Sequence, residues 1–368
     1  MKTITLNTAG LLNSVAVANT FMPKEGDFVG KIVLVGTNGK LEVKATDMIQ
    51  TVIFKDISFV SSDLTDDNFS AFSVDGKKFL TVLKAAKTDE VQVELQPEQI
   101  MVKSGRSKVK IEIMANTQSI EISTNGNSFD FSNQIGQMEQ VLHAIGSNEA
   151  KFELNGALLQ VKNGVFNIVG TDTKRLASIT TETDLSDTEV IVPKQGIQTI
   201  VKLFKGFNIS AEIDDVNLSV HTTSVSYSTR LINGKYPDWK RIVPQSLIQT
   251  ITISRFGLET MIKEASIFDS SITIRIQNGV IKITDFEGNT EVVDSFTDKN
   301  ANVVFAVDSK YILEFLASFN EDNVQIGFNG SNLPIMLIAN PSYKEITMPI
   351  VMQEKEEISD VEDFQNAA

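Results

Sequence analysis

The chain has 368 residues, 42% of them apolar and 22% charged, with a formal net charge of −14, two histidines and no cysteine. Lack of cysteine excludes disulfides, thiolate zinc sites and cysteine nucleophiles and fits a reducing cytoplasm, and no apolar run approaches the roughly 18 residues of a membrane span. The acidity argues against nucleic acid, because phosphate binding needs positive charge, so the distribution of charge must decide.

The N-terminal MKTITLNTAGLLNS alternates like a strand, lacks a signal-peptide core, and leads into an Ala-rich helix over Leu11 to Ala18. KIVLVGT and KLEVKATD flank Asn38-Gly39, and Asn-Gly between β-type runs predicts a type I′ hairpin. Phe79, Val82, Leu83 and Ala86 follow the i, i+3, i+4, i+7 stripe of an amphipathic helix. Three closing strands follow in VQVELQ, IMVKSG and KVKIEI, and a boundary falls near STNGNS at 123–128.

The order then recurs. Met138, Val141, Leu142 and Ile145 mark a helix, GALLQVK and VFNIVGTD flank Asn163-Gly164, and Ile197, Ile200, Val201 and Phe204 mark a second helix. After a boundary near PQSLIQ at 244–249, Leu258, Met261, Ile262 and Ala265 mark a helix, SITIRIQ and VIKITD flank Asn278-Gly279, and Ile312, Phe315, Leu316 and Phe319 mark another. The three hairpins are 125 and 115 residues apart and the second helices 118 and 115. Two unrelated markers repeating in one order at one period indicate three tandem copies of one domain. We divide the chain at 1–125, 126–248 and 249–353, with an acidic, solvated tail over 354–368. Two helices and many strands per copy make an α+β protein, each copy an antiparallel sheet with helices on one face.

Nothing in the chain reads as catalytic machinery. P-loop, GxSxG, HExxH and dinucleotide fingerprints are missing, and no Asp/Glu cluster has metal-ligand spacing, so neither catalytic residue, metal nor cofactor is expected. Asp47, Asp172 and Asp285 recur once per copy, and a residue that recurs with the repeat serves the repeat by accepting turn N–H groups; Asp214-Asp215 reads as a turn as well. Lys77, Lys84 and Lys87 lie opposite the apolar stripe of the first copy's second helix, and Lys202 and Lys205 occupy the last two of those places in the second copy. The third copy has Ala317 and Asn320 there, keeps only Lys310, and carries Arg255 and Lys263 on its first helix. Segregated lysines on an acidic chain suggest a positive surface, although exposed helix faces are commonly charged. A tandem-repeat structural or adhesion protein without DNA binding, and an enzyme with an unrecognised carboxylate site, remain alternatives.

The segment LNGALLQVKNGVFNIVGTDTKRLA (154–177) resembles a signature of the bacterial DNA polymerase III β subunits, the β sliding clamps, which reads approximately LNG…ATDGHRLA. KATD (44–47), MVKSGRSKV (101–109), EVIVPKQGI (189–197), LINGKYPDWKRIVP (231–244) and ITMPI (346–350) match further family segments in order, so that the resemblance covers nearly the whole chain. It implies three clamp-type domains forming half of a six-domain ring: a head-to-tail homodimer that encircles duplex DNA without sequence preference, with helices lining the hole. The implied function is non-catalytic, the tethering of a replicative polymerase for processive synthesis in the cytoplasm. Polymerase and clamp-loader subunits would bind by short peptides with a Gln followed by Leu and Phe anchors.

Carried onto this sequence, the resemblance places a partner-peptide pocket between the second and third copies. Its residues are Leu154, Thr171, Thr173, Lys174, Arg175 and Leu176, then Pro237, Arg241 and Ile242, then Tyr311, Pro334, Ile346, Met348 and Ile350. DNA-facing candidates are Lys24, Lys77, Lys84, Lys87, Lys202, Lys205 and Lys263. The dimer interface would join Arg106, Lys108, Val109 and Ile111 to Ile267 and Phe268, with Glu287, Glu291, Asp294 and Asp298 opposite the basic strand. Two departures stand out: Thr173-Lys174 replaces the family's usual Gly-His, and sixteen residues follow MPIVM where the family chain ends within two or three of MP. The extra residues form a passive solubilising tail or an acidic shield beside the pocket.

Overall fold

In the computed structural model of the chain, the described residues are 2–23, 26, 29–64, 67–115, 117–123, 128–147, 149–295 and 301–351. Lys24, Asp298 and the 354–368 tail lie outside them. The chain forms two compact units: Met1–Ile135 with Lys202–Leu231, and Gly136–Val201 with Ile232–Ala368.

All three Asn-Gly hairpins form. Asn38, Asn163 and Asn278 have φ of 51°, 53° and 55°, and Gly39, Gly164 and Gly279 have φ of 75°, 74° and 79°. Both central residues are thus left-handed, as a type I′ turn demands, and the residues flanking each turn pair directly (Thr37 with Lys40, Lys162 with Val165, Gln277 with Val280).

Six helices occupy the expected places: α1 (Thr8–Ala18), α2 (Gly76–Ala85), α3 (Ser132–Val141), α4 (Lys194–Phe204), α5 (Arg255–Ala265) and α6 (Ser309–Leu316). Each of α1, α2, α5 and α6 begins where a strand stops, because a short polar side chain satisfies a first-turn N–H. Asn7 accepts from Gly10, Asp75 from Lys78, Ser254 from Gly257 and Asp308 from Lys310, at 2.9 to 3.3 Å. No helix among the described residues is long and apolar enough to cross a membrane.

In the first unit the strand Lys2–Asn7 pairs on one side with Gln50–Ser62 and on the other with Glu90–Leu95. The ladder runs on through Gln99–Ser104, Ser107–Met114, Phe69–Asp75, Lys31–Thr37 and Lys40–Thr46 back to Gln50–Ser62, so that eight antiparallel strands close on one another. α1 and α2 pack together and bury Leu11, Val15, Phe79 and Leu83, none more than 1% exposed. Gln50–Ser62 then continues into Val225–Arg230, Asn217–His221 and Ser210–Ile213.

The second unit holds an eight-stranded and a four-stranded antiparallel sheet. In the larger one, Arg175–Glu182 pairs with Tyr343–Thr347, two strands about 170 residues apart in the chain. This ladder carries the candidate site.

Candidate functional site

The site begins with the turn Thr171–Arg175, which joins two strands of the larger sheet. Thr171 Oγ1 donates to Arg175 O at 2.6 Å and accepts from Thr173 N at 3.2 Å, while Asp172 Oδ1 accepts from Lys174 N and Arg175 N at 3.1 and 3.0 Å. Asp172 therefore serves the turn, as do Asp47, whose Oδ1 accepts from Ile49 N and Gln50 N, and Asp285, whose Oδ1 accepts from Asn289 N. Asp214 likewise accepts from Val216 N and Asn217 N, both at 2.7 Å. Thr173 sits at φ 73°, a left-handed conformation costly for a β-branched side chain.

From this turn the strand Arg175–Glu182 pairs Leu176 with Ile346 and Arg175 with Thr347, and strand alternation gives the pair two different faces. On one face Leu176 and Ile346, each 1% exposed, join Leu154, Leu158, Val169, Ile191, Ile232, Tyr236 and Trp239 in one apolar cluster. Three residues expected in the pocket, Leu154, Leu176 and Ile346, are thus buried in this cluster. Tyr236 and Trp239 were not singled out from the sequence although they lie within GKYPDWKRIVP. The Tyr236 hydroxyl donates to Val169 O at 3.2 Å, and burial pushes this phenol well above its ordinary pKa.

Two other apolar residues expected in the pocket are exposed. Met348 is 43% and Ile242 42% exposed. Met348 N donates to Lys174 O at 2.9 Å, which fixes the end of the strand against the turn, while Lys174 and Thr173 point outward. Ile242 N donates to Trp239 O, and Arg241 lies exposed beside Asp238 at 3.2 Å. Pro237 and Pro334 are half-buried; Pro334 immediately precedes Ile335, which pairs with Thr347. Ile350 is half-buried and bonded through its N–H to Ala306 O.

The other face of the same strand pair is polar and buried. Arg175, 5% exposed, places Nε 3.1 Å from Asp172, Nη2 2.6 Å from Glu314 and donates from Nη2 to His143 O at 2.8 Å. Its guanidinium lies 4.6 Å from the centroid of the Tyr311 ring, a cation–π contact. Burial disfavours the Arg175 charge, but Glu345, Glu314 and Asp172 outweigh it and hold the group above its ordinary pKa. Glu345 is fully buried, with Oε2 2.6 Å from His143 Nε2; burial pushes its carboxyl up, against the pull of His143 and Arg175. Lys194 Nζ, at the start of α4, donates to Ile145 O at 2.6 Å, and burial together with Arg175 lowers its pKa.

Of the other expected residues, Lys77, Lys84, Lys87, Lys202, Lys205 and Lys263 are all exposed. Lys263 is engaged by Glu259 on the same helix at 2.5 Å. Ser107–Glu112 pairs with Gln99–Ser104, and the strand meets Phe69–Asp75 only at Ile113 and Met114, so that among the described residues its first six have an uncovered edge. Arg106, in the turn before it, and Lys108 are exposed and Val109 half-buried, whereas Ile111 is 2% exposed and already packed inside its own unit. Glu291–Ser295 is the end strand of the four-stranded sheet. Ile267 and Phe268 are 67% and 75% exposed.

Comparison with known proteins identifies the family and the fold. The family described as DNA polymerase III beta subunit, central domain, matches residues 130–238, and its C-terminal domain matches 240–352, together more than half of the chain. A beta sliding clamp of Helicobacter pylori (strain J99) is 24% identical over 91% of this chain and 93% of its own length, and that of Vibrio cholerae 23% identical over 88% and 92%. Among solved structures, the Helicobacter pylori beta clamp bound to a DNA ligase peptide superimposes with a TM-score of 0.86 at 23% identity, over 96% of this chain and all of that one. A Pseudomonas aeruginosa sliding clamp bound to griselimycin gives 0.86 at 18% identity, over 95% and all of it.

Proposed function

Because the chain belongs to the DNA polymerase III beta subunit family of sliding clamps, we propose that two copies close head to tail into a six-domain ring around duplex DNA and capture partner peptides in the cleft above the Leu154–Leu176–Ile346 floor. The chain is a processivity factor and not an enzyme. The observation that carries the peptide reading is a packed apolar floor beside an exposed apolar rim, Met348 and Ile242, next to a turn whose backbone is locked. Such a surface supplies anchors for aliphatic and aromatic side chains and polar groups that orient a main chain. The Helicobacter pylori clamp binds a ligase peptide, and the same fold here supports a peptide ligand. Replicative polymerase and clamp-loader subunits are the partners this reading expects, in the cytoplasm.

The exposed lysines of α2 and the end of α4 supply sequence-independent attraction, because a duplex carries about one negative charge per 1.7 Å and flexible ammonium stems do not lock onto one geometry. The uncovered edge of Ser107–Met114 is basic, and the end strand Glu291–Ser295 carries Glu291 and Asp294. A strand edge needs a partner or a guard, and opposite charge would set register between two copies. Val109, Ile267 and Phe268 supply the apolar contact.

The test is topological. Loaded by a clamp loader with ATP on nicked circular DNA, the protein stays bound; cutting the circle releases it. Retention after cutting would mean ordinary DNA binding, and failure to load would return the structural-repeat alternative. A labelled synthetic peptide carrying Gln followed by Leu and Phe anchors tests the cleft separately, with Met348→Ala and Ile242→Ala expected to weaken it.

A further inference from the structure

The chain builds the same turn twice. In the first repeat Thr46 Oγ1 donates to Gln50 O at 3.0 Å, Asp47 Oδ1 accepts from Gln50 N at 2.6 Å, and Arg230 N donates to Ile49 O at 2.9 Å. In the second repeat Thr171, Asp172, Arg175, Met348 and Lys174 make the same bonds in the same places. The residue that ends the turn differs. In the first repeat it is Gln50, whose Oε1 accepts from the Tyr227 hydroxyl at 2.6 Å, a neutral bond with both residues buried. In the second it is Arg175, and the register place of Tyr227 belongs to Glu345.

This scaffold therefore closes without charge. The second copy instead buries a guanidinium, the Glu345 carboxylate and parts of Asp172 and Glu314, and it does so incompletely: Arg175 Nη1 and Glu345 Oε1 are buried without a hydrogen-bond partner. Taking an ion out of water costs several kcal/mol, and a neutral replacement is often as stable or more so, so stability does not explain the substitution. What distinguishes the second copy is the cleft. Arg175 supports the Tyr311 ring, and Glu345 precedes Ile346 on the strand Tyr343–Thr347, which Met348 follows. His143 links the two, with its carbonyl oxygen on Arg175 and its ring on Glu345.

We infer that His143 and Glu345, neither of which lines the cleft, are positioning residues for peptide capture: as a charged brace with Arg175 they hold Tyr311 and the Ile346–Met348 wall in the binding arrangement. The inference rests on the cleft reading above. The groups facing Glu345 are His143, Arg175, Asp172 and Tyr343, with Lys194 and Glu314 completing the surroundings of Arg175. The ionised carboxylate is the form that draws on Arg175, so lowering the pH through its range slackens the brace and weakens binding.

The experiment measures the Kd of the labelled Gln–Leu–Phe peptide by fluorescence anisotropy from about pH 5.5 to about pH 8.5, for the full chain and for the His143→Gln/Glu345→Gln pair, which keeps hydrogen-bonding capacity but removes the Glu345 carboxylate. The wild-type chain binds more tightly as the pH rises. The pair is expected to fold and dimerise, yet to bind the peptide about tenfold more weakly at the alkaline end, with a flat pH profile. If that pair does not fold, Arg175→Gln/Glu345→Tyr, which copies Gln50 and Tyr227, is read the same way. A variant whose Kd stays within about twofold of wild type at every pH, with a parallel profile, overturns the inference alone. A wild-type chain that binds no peptide at any pH overturns the cleft reading and the inference with it.

Discussion

Helices α2 and α6 hold the same place in the first and third repeats and put it to opposite uses. Both follow a strand directly, both are capped by an aspartate, and both bury an apolar stripe, Phe79 and Leu83 in one, Ile312, Phe315 and Leu316 in the other. Counted from the caps, Tyr311 stands where α2 has Lys78, and Glu314 where it has Thr81. α2 gives its polar face to solvent as Lys77 and Lys84. α6 turns Tyr311 and Glu314 toward Arg175, and its one lysine, Lys310, lies 3.9 Å from Glu314. The backbone of a repeat is held by its caps and buried stripe, which leaves the other positions free to make a charged surface in one copy and a contact with a buried arginine in another.

The largest way to break this contrast is Arg175→Ala. It leaves Asp172 and Glu314 facing a void in the cluster, and breaking a buried ion pair from one side costs about 3–5 kcal/mol; urea unfolding should show a loss of that order, with peptide binding abolished. Reversing charge on α2, by Lys77→Glu with Lys84→Glu and Lys87→Glu, should leave stability and peptide affinity unchanged. It should cut loading onto circular DNA by roughly tenfold or more and flatten its salt dependence. An unchanged salt slope would remove α2 from the DNA-facing surface.

A subtler effect concerns pH. Burial raises the folded pKa of Glu345 above the ordinary 4.5, so the stability its protonated form gives is present below that value and is lost as pH rises through the folded one. Glu345→Gln cannot ionise and should escape this loss. Its stability relative to wild type should therefore improve from pH 5 to pH 8 in urea titrations, and a difference independent of pH would contradict the assignment. The smallest effect is at Thr173. Glycine adopts φ 73° without strain but gains freedom in the unfolded chain, so Thr173→Gly should stabilise by about 1 kcal/mol or less. Calorimetry checks this, and the peptide Kd shows whether the threonine methyl narrows the cleft.

The repeat was legible because its signals are local. Asn38-Gly39 and its two counterparts declare their turns by residue type, and Phe79 to Ala86 declares its helix by spacing. The apolar cluster was partly legible, since Leu154, Leu176 and Ile346 sit in motifs that resemble a known family, yet Trp239, inside GKYPDWKRIVP, carries no local sign of the contacts it makes there. The buried charges were not legible at all. Glu345, in YKEIT, reads as the solvent-facing member of an alternating strand, and only a pairing with a histidine 202 residues away makes it a fully buried one. Closure of the eight first-unit strands was hidden for the same reason: it depends on Lys2–Asn7 finding two partners at once, and no local pattern encodes which partners a strand finds.

That closure has a mechanical consequence. The ladder runs back to its own first strand, but Ser107–Met114 joins Phe69–Asp75 through only two residue pairs, so the closure is narrowest at the strand that also carries the open edge. Load carried through an assembly of such units passes through strand edges that are joined only across chains. In the proposed ring, the six open residues from Ser107 to Glu112 are then both the clasp between copies and the point where the unit's own ladder is least joined.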